Sequence, residues 1–227
     1  MSLKLDNILI TGRLYEEYIA FFDLYIKELE GKKVLDCPSG ASSFVSVASS
    51  NGLDAKGTDI LYEFDIQDIK KQGEASIDKI YEDISWMDGF NFDFYKSIEN
   101  HKKYRQKALS EFCKDYNKEK YFYNTLPKLE FEDKSFDLVL SSHLLFVYDD
   151  RFDYEFHKSS ILEMLRVSDE VKIFPLVDFK NSHLREEKNF SPYVYKILDD
   201  LKEYDCEIKK VDFEFQPRAN YMLKIKR

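Results

Sequence analysis

The chain has 227 residues, 44% of them hydrophobic and 16% aromatic, with a formal net charge of −9 at neutral pH. That length buries a full core in one domain, no apolar run approaches the ~18 residues of a membrane span, and the opening "MSLKLDNILITG" lacks a signal-peptide pattern. A single-domain, soluble cytoplasmic protein is expected. Bases are interleaved with acids, as in "REEK" and "KEYDCEIKK", which weighs against a nucleic-acid partner because a polyanion demands a concentrated basic surface.

Residues 13–30 ("RLYEEYIAFFDLYIKELE") carry apolar side chains at helical spacing, closed by Gly31 at the C-terminal capping position. "KKVLDC" follows as a short buried strand, and "SSFVSVASSNG" as a helix with Ser42 as N-cap and Gly52 as terminator. "LDAKGTDI" is the next strand, so a βαβ unit closes within about 30 residues. Residues 62–119 exceed what a simple crossover needs. They hold two helical patterns, around "EASIDKIYEDIS" and "YKSIENHKKYRQKALSEFCKDY", separated by the aromatic "WMDGFNFDFY". This stretch is expected to be an inserted helical cap.

Further strands are "KYFYNT" (120–125), "FDLVLSS" (136–142) and "EVKIFPL" (170–176), with a helix over "DYEFHKSSILEMLRVS" between the last two. Another helix starts at Ser191–Pro192, an N-cap followed by proline at the first helical position. "CEIKKVDFEF" and "YMLKIKR" close the chain as a strand pair joined by "QPRAN". Alternating strands and helices predict an α/β fold, a mostly parallel sheet covered on both faces, and the terminal pair makes the last strand antiparallel.

The stretch "VLDCPSGASSF" (34–44) is the first chemical signal. Asp36 ends a strand, and Pro38, Ser39, Gly40, Ala41 and Ser42 form a small-residue turn before the helix. In an open parallel sheet that turn faces the ligand crevice. Asp59, followed by Ile60, stands 19 positions after Gly40, close to the roughly 20 expected of an acid that takes ribose hydroxyls. A dinucleotide turn uses G-x-G-x-x-G to seat a pyrophosphate. Here there is one glycine, and an acid precedes the turn. That acid repels a pyrophosphate but accepts a hydrogen bond from an ammonium group, so a nicotinamide-dependent oxidoreductase is disfavoured. Ribose and ammonium together describe S-adenosylmethionine. The bland alternative is that Asp36 merely caps the turn and Ser42 the helix.

"VLDCPSGASSF", "GTDILY" and "LEFEDKSFDLVLSSHLLFVY", in this order, resemble the Rossmann-like S-adenosylmethionine-dependent methyltransferases over most of the chain outside 62–119. Pro38 and Ser42 replace the outer glycines of that family's usual acid-x-G-x-G-x-G turn, while Gly40 keeps the central one. The resemblance implies that Asp59 is the ribose-binding acid, that Asn124, Thr125 and Leu126 lie against adenine, and that Ser141, Ser142 and His143 end the fourth strand beside the transferred methyl. "SSHLLFVY", "RVSDEVKIFPL" and "FEFQPRANYMLKI" further resemble a bacterial subgroup with no defined substrate.

Two roles stay open for His143: general base, or hydrogen-bond partner of a cofactor carboxylate or a neighbouring loop. Asp178 either faces the same cleft or is a solvated loop acid. Arg13 is a candidate ligand of the cofactor's carboxylate, whereas Tyr15 and Tyr18 fit the core. Cys37 fits packing better than nucleophilic attack. Trp86, Met87, Phe90, Phe92, Phe94 and Tyr95 either wall an acceptor pocket or pack the cap onto the sheet. The Asp/Asn-Pro-Pro-aromatic signature for nucleobase amino groups is missing from "SSHLLFVY". The three scattered cysteines and four scattered histidines give no metal-ligand spacing. The expected activity is methyl transfer to a small-molecule oxygen or nitrogen acceptor. The alternative is a non-catalytic S-adenosylmethionine-binding or regulatory protein on the same fold.

Overall fold

The computed structural model describes residues 9–177 and 190–227, the side chain of Trp86 excepted. Asp178 therefore lies outside the described residues. Seven strands form one sheet: β1 (Lys33–Asp36), β2 (Asp54–Asp59), β3 (Tyr121–Tyr123), β4 (Phe136–Ser142), β5 (Ser168–Phe174), β6 (Asp205–Lys210) and β7 (Tyr221–Lys226). Their spatial order is β3-β2-β1-β4-β5-β7-β6. β1 to β5 pair in parallel, and β7 runs antiparallel to both β5 and β6. This is the Rossmann-like, mostly parallel α/β fold expected from the sequence, with its antiparallel C-terminal strand.

Both faces of the sheet are buried, and period-2 alternation assigns each side chain to a face. Val34, Leu138 and Leu140 join one core with Phe21, Phe22 and Phe44 of the helices α1 (Tyr15–Phe22) and α2 (Phe44–Ser50). Leu35, Val139, Val171 and Ile173 join the other, with Ile161 and Met164 of α5 (Tyr154–Val167) and Ile197 of α6 (Pro192–Asp200). At the C-terminal strand ends, Asp36 stands level with Gly57 and Leu140, and Ser142 with Phe174. Neighbouring strands thus deliver their last residues to one edge.

Residues 62–119 divide between two tasks. α4 (Ile98–Asp115) buries Ala108, Leu109 and Phe112 and packs beside α2, as the crossover helix that the parallel β2–β3 connection requires. α3 (Ile66–Glu82) packs on α4, and the aromatic segment after it reaches the C-terminal end of the sheet.

Three local expectations need correction. The helix read over 13–30 ends at Phe22, because Asp23 adopts a left-handed backbone (φ 45°) and receives Lys209 Nζ at 2.6 Å. Ile26–Leu29 form only a 3-10 turn before Gly31. Ser42 does not cap α2. The helix starts at Phe44 after Ser43, and both serine hydroxyls accept from the N-terminal segment instead. The strand read through Phe215 ends at Lys210, and Val211–Phe215 leave the sheet, held to the aromatic segment where Asn91 N donates to Phe215 O at 2.8 Å.

Candidate functional site

The turn after β1 is fixed before any ligand arrives. Ser39 N donates to Thr58 O at 2.9 Å, and Cys37 N to Leu140 O at 2.9 Å. Gly40 is gripped at both ends, its N–H donating to Asp59 Oδ2 at 2.8 Å and its carbonyl accepting from Tyr62 Oη at 2.7 Å. It sits at φ 55°, and a Cβ placed there would meet nothing within 4 Å. The backbone thus faces open space in a conformation that suits glycine.

The N-terminal segment latches onto the same turn. Arg13 N donates to Ser42 Oγ at 3.0 Å, Tyr15 N to Ser43 Oγ at 3.0 Å and Ser43 N to Arg13 O at 2.9 Å. Gly12 passes so close that a Cβ would lie 1.9 Å from the Ala41 carbonyl oxygen. Arg13 is thereby held half-buried at the cavity, its guanidinium donating to Thr11 O at 2.9 Å and forming no ion pair among the described residues. Burial and nearby Arg105 lower its pKa.

Over the strand ends lies a cavity of about 800 Å³, within the usual range for a small-molecule site. The turn contributes Pro38, Ser39, Gly40, Ala41 and Ser42, and β2 contributes Asp59 and Ile60. Asn124, Thr125 and Leu126 follow β3, while Ser142 and His143 end β4. Asp59 is nearly buried, with Oδ1 accepting from Leu61 N at 2.9 Å, and burial raises its pKa. Asn124 Oδ1 accepts from Glu130 N at 2.7 Å, which shapes the loop after β3. His143 has a left-handed backbone (φ 57°), its N–H donates to Phe174 O at 2.8 Å, and its Nδ1 lies 2.7 Å from Ser142 Oγ. Burial, then Arg13 and Arg105, push its pKa well below the usual histidine value, so the imidazole is neutral at physiological pH.

Two expected site residues are not at the cavity. Asp36 is fully buried beneath the turn, its carboxyl oxygens both accepting from Tyr18 Oη at 3.0 Å and one of them from Ser39 Oγ at 2.7 Å. Burial raises its pKa to about 8. It braces the turn rather than meeting a ligand, because the β1 pleat directs it into the α1 side. Ser141 is also buried, one residue short of the strand end and facing away, and its hydroxyl has no partner among the described residues. Cys37 packs as read, and burial pushes its thiol well up. Tyr18 sits in the core as expected but also reaches the cavity wall.

Sequence reasoning missed Arg105. It is almost fully buried, donates to Gly12 O at 2.8 Å and pairs with buried Glu17, which also accepts from Tyr95 Oη at 2.6 Å and from Leu14 N at 2.6 Å. The signal was present: Arg105 shares the buried stripe of α4 with His101, Ala108 and Phe112, and a charge on an apolar face needs a partner. Gln216, Phe213 and Phe215 were missed as well, since they were read as strand and turn.

Compared with known proteins, the chain is 34% identical over 229 residues to the uncharacterised protein MJ0045 of Methanocaldococcus jannaschii, covering 99% of each. The chain belongs to the family of this archaeal protein. The bacterial subgroup expected from "SSHLLFVY" is not supported, for the relative is archaeal. No protein-family model matches the chain. Among solved structures, the PH0226 protein of Pyrococcus horikoshii OT3 has a TM-score of 0.49 at 17% identity, over 93% of this chain and 90% of that one. Magnesium protoporphyrin IX methyltransferase of Synechocystis PCC 6803, solved with bound SAH, has a TM-score of 0.49 at 13% identity, over 94% and 83%. A SAM-dependent methyltransferase of Methanosarcina mazei has a TM-score of 0.47 at 14% identity, over 90% and 98%. These likenesses are loose.

Proposed function

We propose that the chain binds S-adenosylmethionine over the C-terminal strand ends and transfers its methyl group to a small-molecule oxygen or nitrogen acceptor. One observation carries the reading: the 38–42 turn, Asp59–Ile60, Asn124–Leu126 and Ser142–His143, far apart in sequence, line a single cavity. The residues present suit the cofactor. Gly40 leaves space against its backbone, Arg13 offers a cation without a carboxylate partner among the described residues, and each Asp59 oxygen keeps a lone pair for a ribose hydroxyl. Asn124–Leu126 would flank the adenine. Asp36 takes no part in contact; it holds Ser39 and Tyr18 in place.

When bound, the cofactor supplies an electrophilic sulfonium methyl. The chain's own contribution is alignment of the acceptor against it, which by itself accounts for large accelerations. His143 is neutral and a weakened base. Its role in this reading is to orient an acceptor proton during transfer rather than to remove it beforehand. Among the described residues no group of three or more His, Cys, Asp or Glu could hold a metal ion, and no helix is long and apolar enough to cross a membrane.

Isothermal calorimetry with S-adenosylmethionine and S-adenosylhomocysteine tests the reading directly. Binding is expected, and its absence in folded protein would overturn the proposal. Binding followed by no turnover with any member of a broad acceptor panel would favour the non-catalytic alternative instead.

A further inference from the structure

From His143 at the end of β4, aromatic rings run along one wall of the cavity. The Phe21 ring lies 5.1 Å from that of His143 and stacks on Phe174 at 4.7 Å, and Phe213 meets Phe21 edge-on at 4.7 Å. Tyr95 continues the row 6.1 Å from Phe213, and Phe215 meets it edge-on at 5.1 Å. All of these rings line the cavity.

Charge along this wall cancels. Arg105 is balanced by Glu17, and burial lowers the pKa values of His101 and His143, leaving both imidazoles neutral. Arg13 keeps a net positive charge, which the proposed function assigns to the cofactor's carboxylate. Arg151, the other arginine at the cavity, is exposed on the β4–α5 turn and lies over the Tyr148 ring at 5.0 Å. Of the two uncharged polar side chains on the segment that carries Phe213 and Phe215, Asn220 is bound to Glu214, and Gln216 is the one at the cavity. It is 7% exposed, lines the cavity, and its buried Nε2 has no hydrogen-bond partner among the described residues. Buried amides without partners are rare in native proteins and call for an explanation. A ligand oxygen supplies one.

We propose that the acceptor is a neutral, flat aromatic molecule carrying a hydroxyl or carbonyl oxygen, gripped by this ring wall and by a hydrogen bond from Gln216. The inference rests on the proposed function for the place of Arg13. Rings favour stacked or edge-on contact with another ring over contact with a saturated one. Along this ring wall, among the described residues, an anionic acceptor would find no free cation once Arg13 is engaged; Arg151 lines the cavity from the exposed β4–α5 turn. An aliphatic amine would find no free carboxylate among the described residues, since Glu17 is already paired and Asp59 is taken by the ribose in the proposed function.

The test is calorimetric, with 2-naphthol as the probe, alone and with saturating S-adenosylhomocysteine. 2-Naphthoate, trans-2-decalol and naphthalene are titrated alongside. With cofactor product present, 2-naphthol is expected to bind about tenfold or more tighter than 2-naphthoate or the saturated alcohol. Gln216→Leu should weaken 2-naphthol by about tenfold, the worth of one hydrogen bond, while leaving naphthalene and S-adenosylhomocysteine unchanged. Gln216→Met serves the same comparison if the leucine variant fails to fold. Equal or tighter binding of 2-naphthoate, no binding of 2-naphthol, or an unaffected Gln216 variant would each overturn the inference. If S-adenosylhomocysteine fails to bind while 2-naphthol binds, the proposed function falls and the aromatic site stands. The reverse outcome removes the aromatic site alone.

Discussion

Asp36 and Asp59 end adjacent strands, yet their environments give them different work. Asp36 has no solvent access, and its pKa of about 8 stands far above the ordinary 3.8. Desolvation causes the rise, while donation from Ser39 and Tyr18 moderates it. The native state therefore keeps a proton that the unfolded chain has released anywhere between about pH 4 and pH 8. The contribution of this group to stability falls as pH rises through that window and levels off above it, by at most about 1.4 kcal/mol per pH unit, while His101 and His143, whose pKa values are lowered, contribute in the opposite sense below about pH 6.5. Asp36→Asn keeps an oxygen acceptor for Ser39 and Tyr18 but cannot titrate. Its melting temperature should fall less than that of the wild type between pH 5 and pH 8, as followed by circular dichroism, and parallel curves would show that Asp36 does not carry the dependence. Asp59 is tied to function and fold together. Asp59→Ala removes the acceptor of both Gly40 N–H and Leu61 N–H. Each amide left without a partner costs about 1–3 kcal/mol if it stays buried. Lower thermal stability and at least tenfold weaker S-adenosylmethionine binding should appear together. A variant that melts normally and binds normally would show that the turn does not depend on this carboxylate.

At the scale of elements, the turn after β1 works as half of a clasp whose other half is the N-terminal segment. Gly12→Ala would drive a methyl into the Ala41 carbonyl, a backbone atom that cannot swing aside. The segment must shift, at a cost of about 1–3 kcal/mol by analogy with overpacked cores. Cofactor affinity should fall with it, because Arg13 moves too. Retained affinity and melting temperature would mean the clasp is slack. Gly40→Val acts by another route. No protein atom obstructs the new side chain, so the change costs about 1–3 kcal/mol through its left-handed backbone and fills the space left for a ligand. Loss of calorimetric binding with only a moderate drop in melting temperature is the expected pair of results. β4 could be read to its bounds because "FDLVLSS" combines β-formers with the polar "EDKS" before it and a serine pair at its end. α1 could not, because the left-handed residue that ends it is an aspartate and not the usual glycine, and its pairing with Lys209 across 186 positions is a contact no local pattern encodes. The burial of Asp36 was illegible for a related reason. Spacing places an acid at a strand end, but only the packed α1 face decides whether it looks into the cleft or beneath the turn.

For the whole molecule, the sheet separates two cores with different relations to the cavity. The core beneath α5 and α6 is built mainly from aliphatic side chains, supplied by the sheet and by the two helices together. The other core is continuous with the cavity roof, where three segments meet: the N-terminal stretch, the aromatic segment after α3 and the residues between β6 and β7. Asn91 ties the second to the third, Tyr95 ties the second to Glu17 of α1, and Arg105 of α4 holds the first at Gly12. A ligand in the cavity opposes any opening that exposes its site, by a factor of about 100 when its free concentration is 100 times Kd. Openings that leave the site intact are untouched. S-adenosylhomocysteine at that concentration should therefore slow amide hydrogen exchange by up to about 100-fold at 9–14, 84–97 and 211–220. Amides of α6 that exchange by local fraying should keep their rates. Mass spectrometry of peptic fragments distinguishes the two patterns. Protection confined to the 38–42 turn would show that the roof moves independently of the ligand, and residues 84–97 would then have no part in enclosing the acceptor. Protection spread evenly over both faces would mean that exchange proceeds through global unfolding, and the roof would be no looser than the rest of the protein.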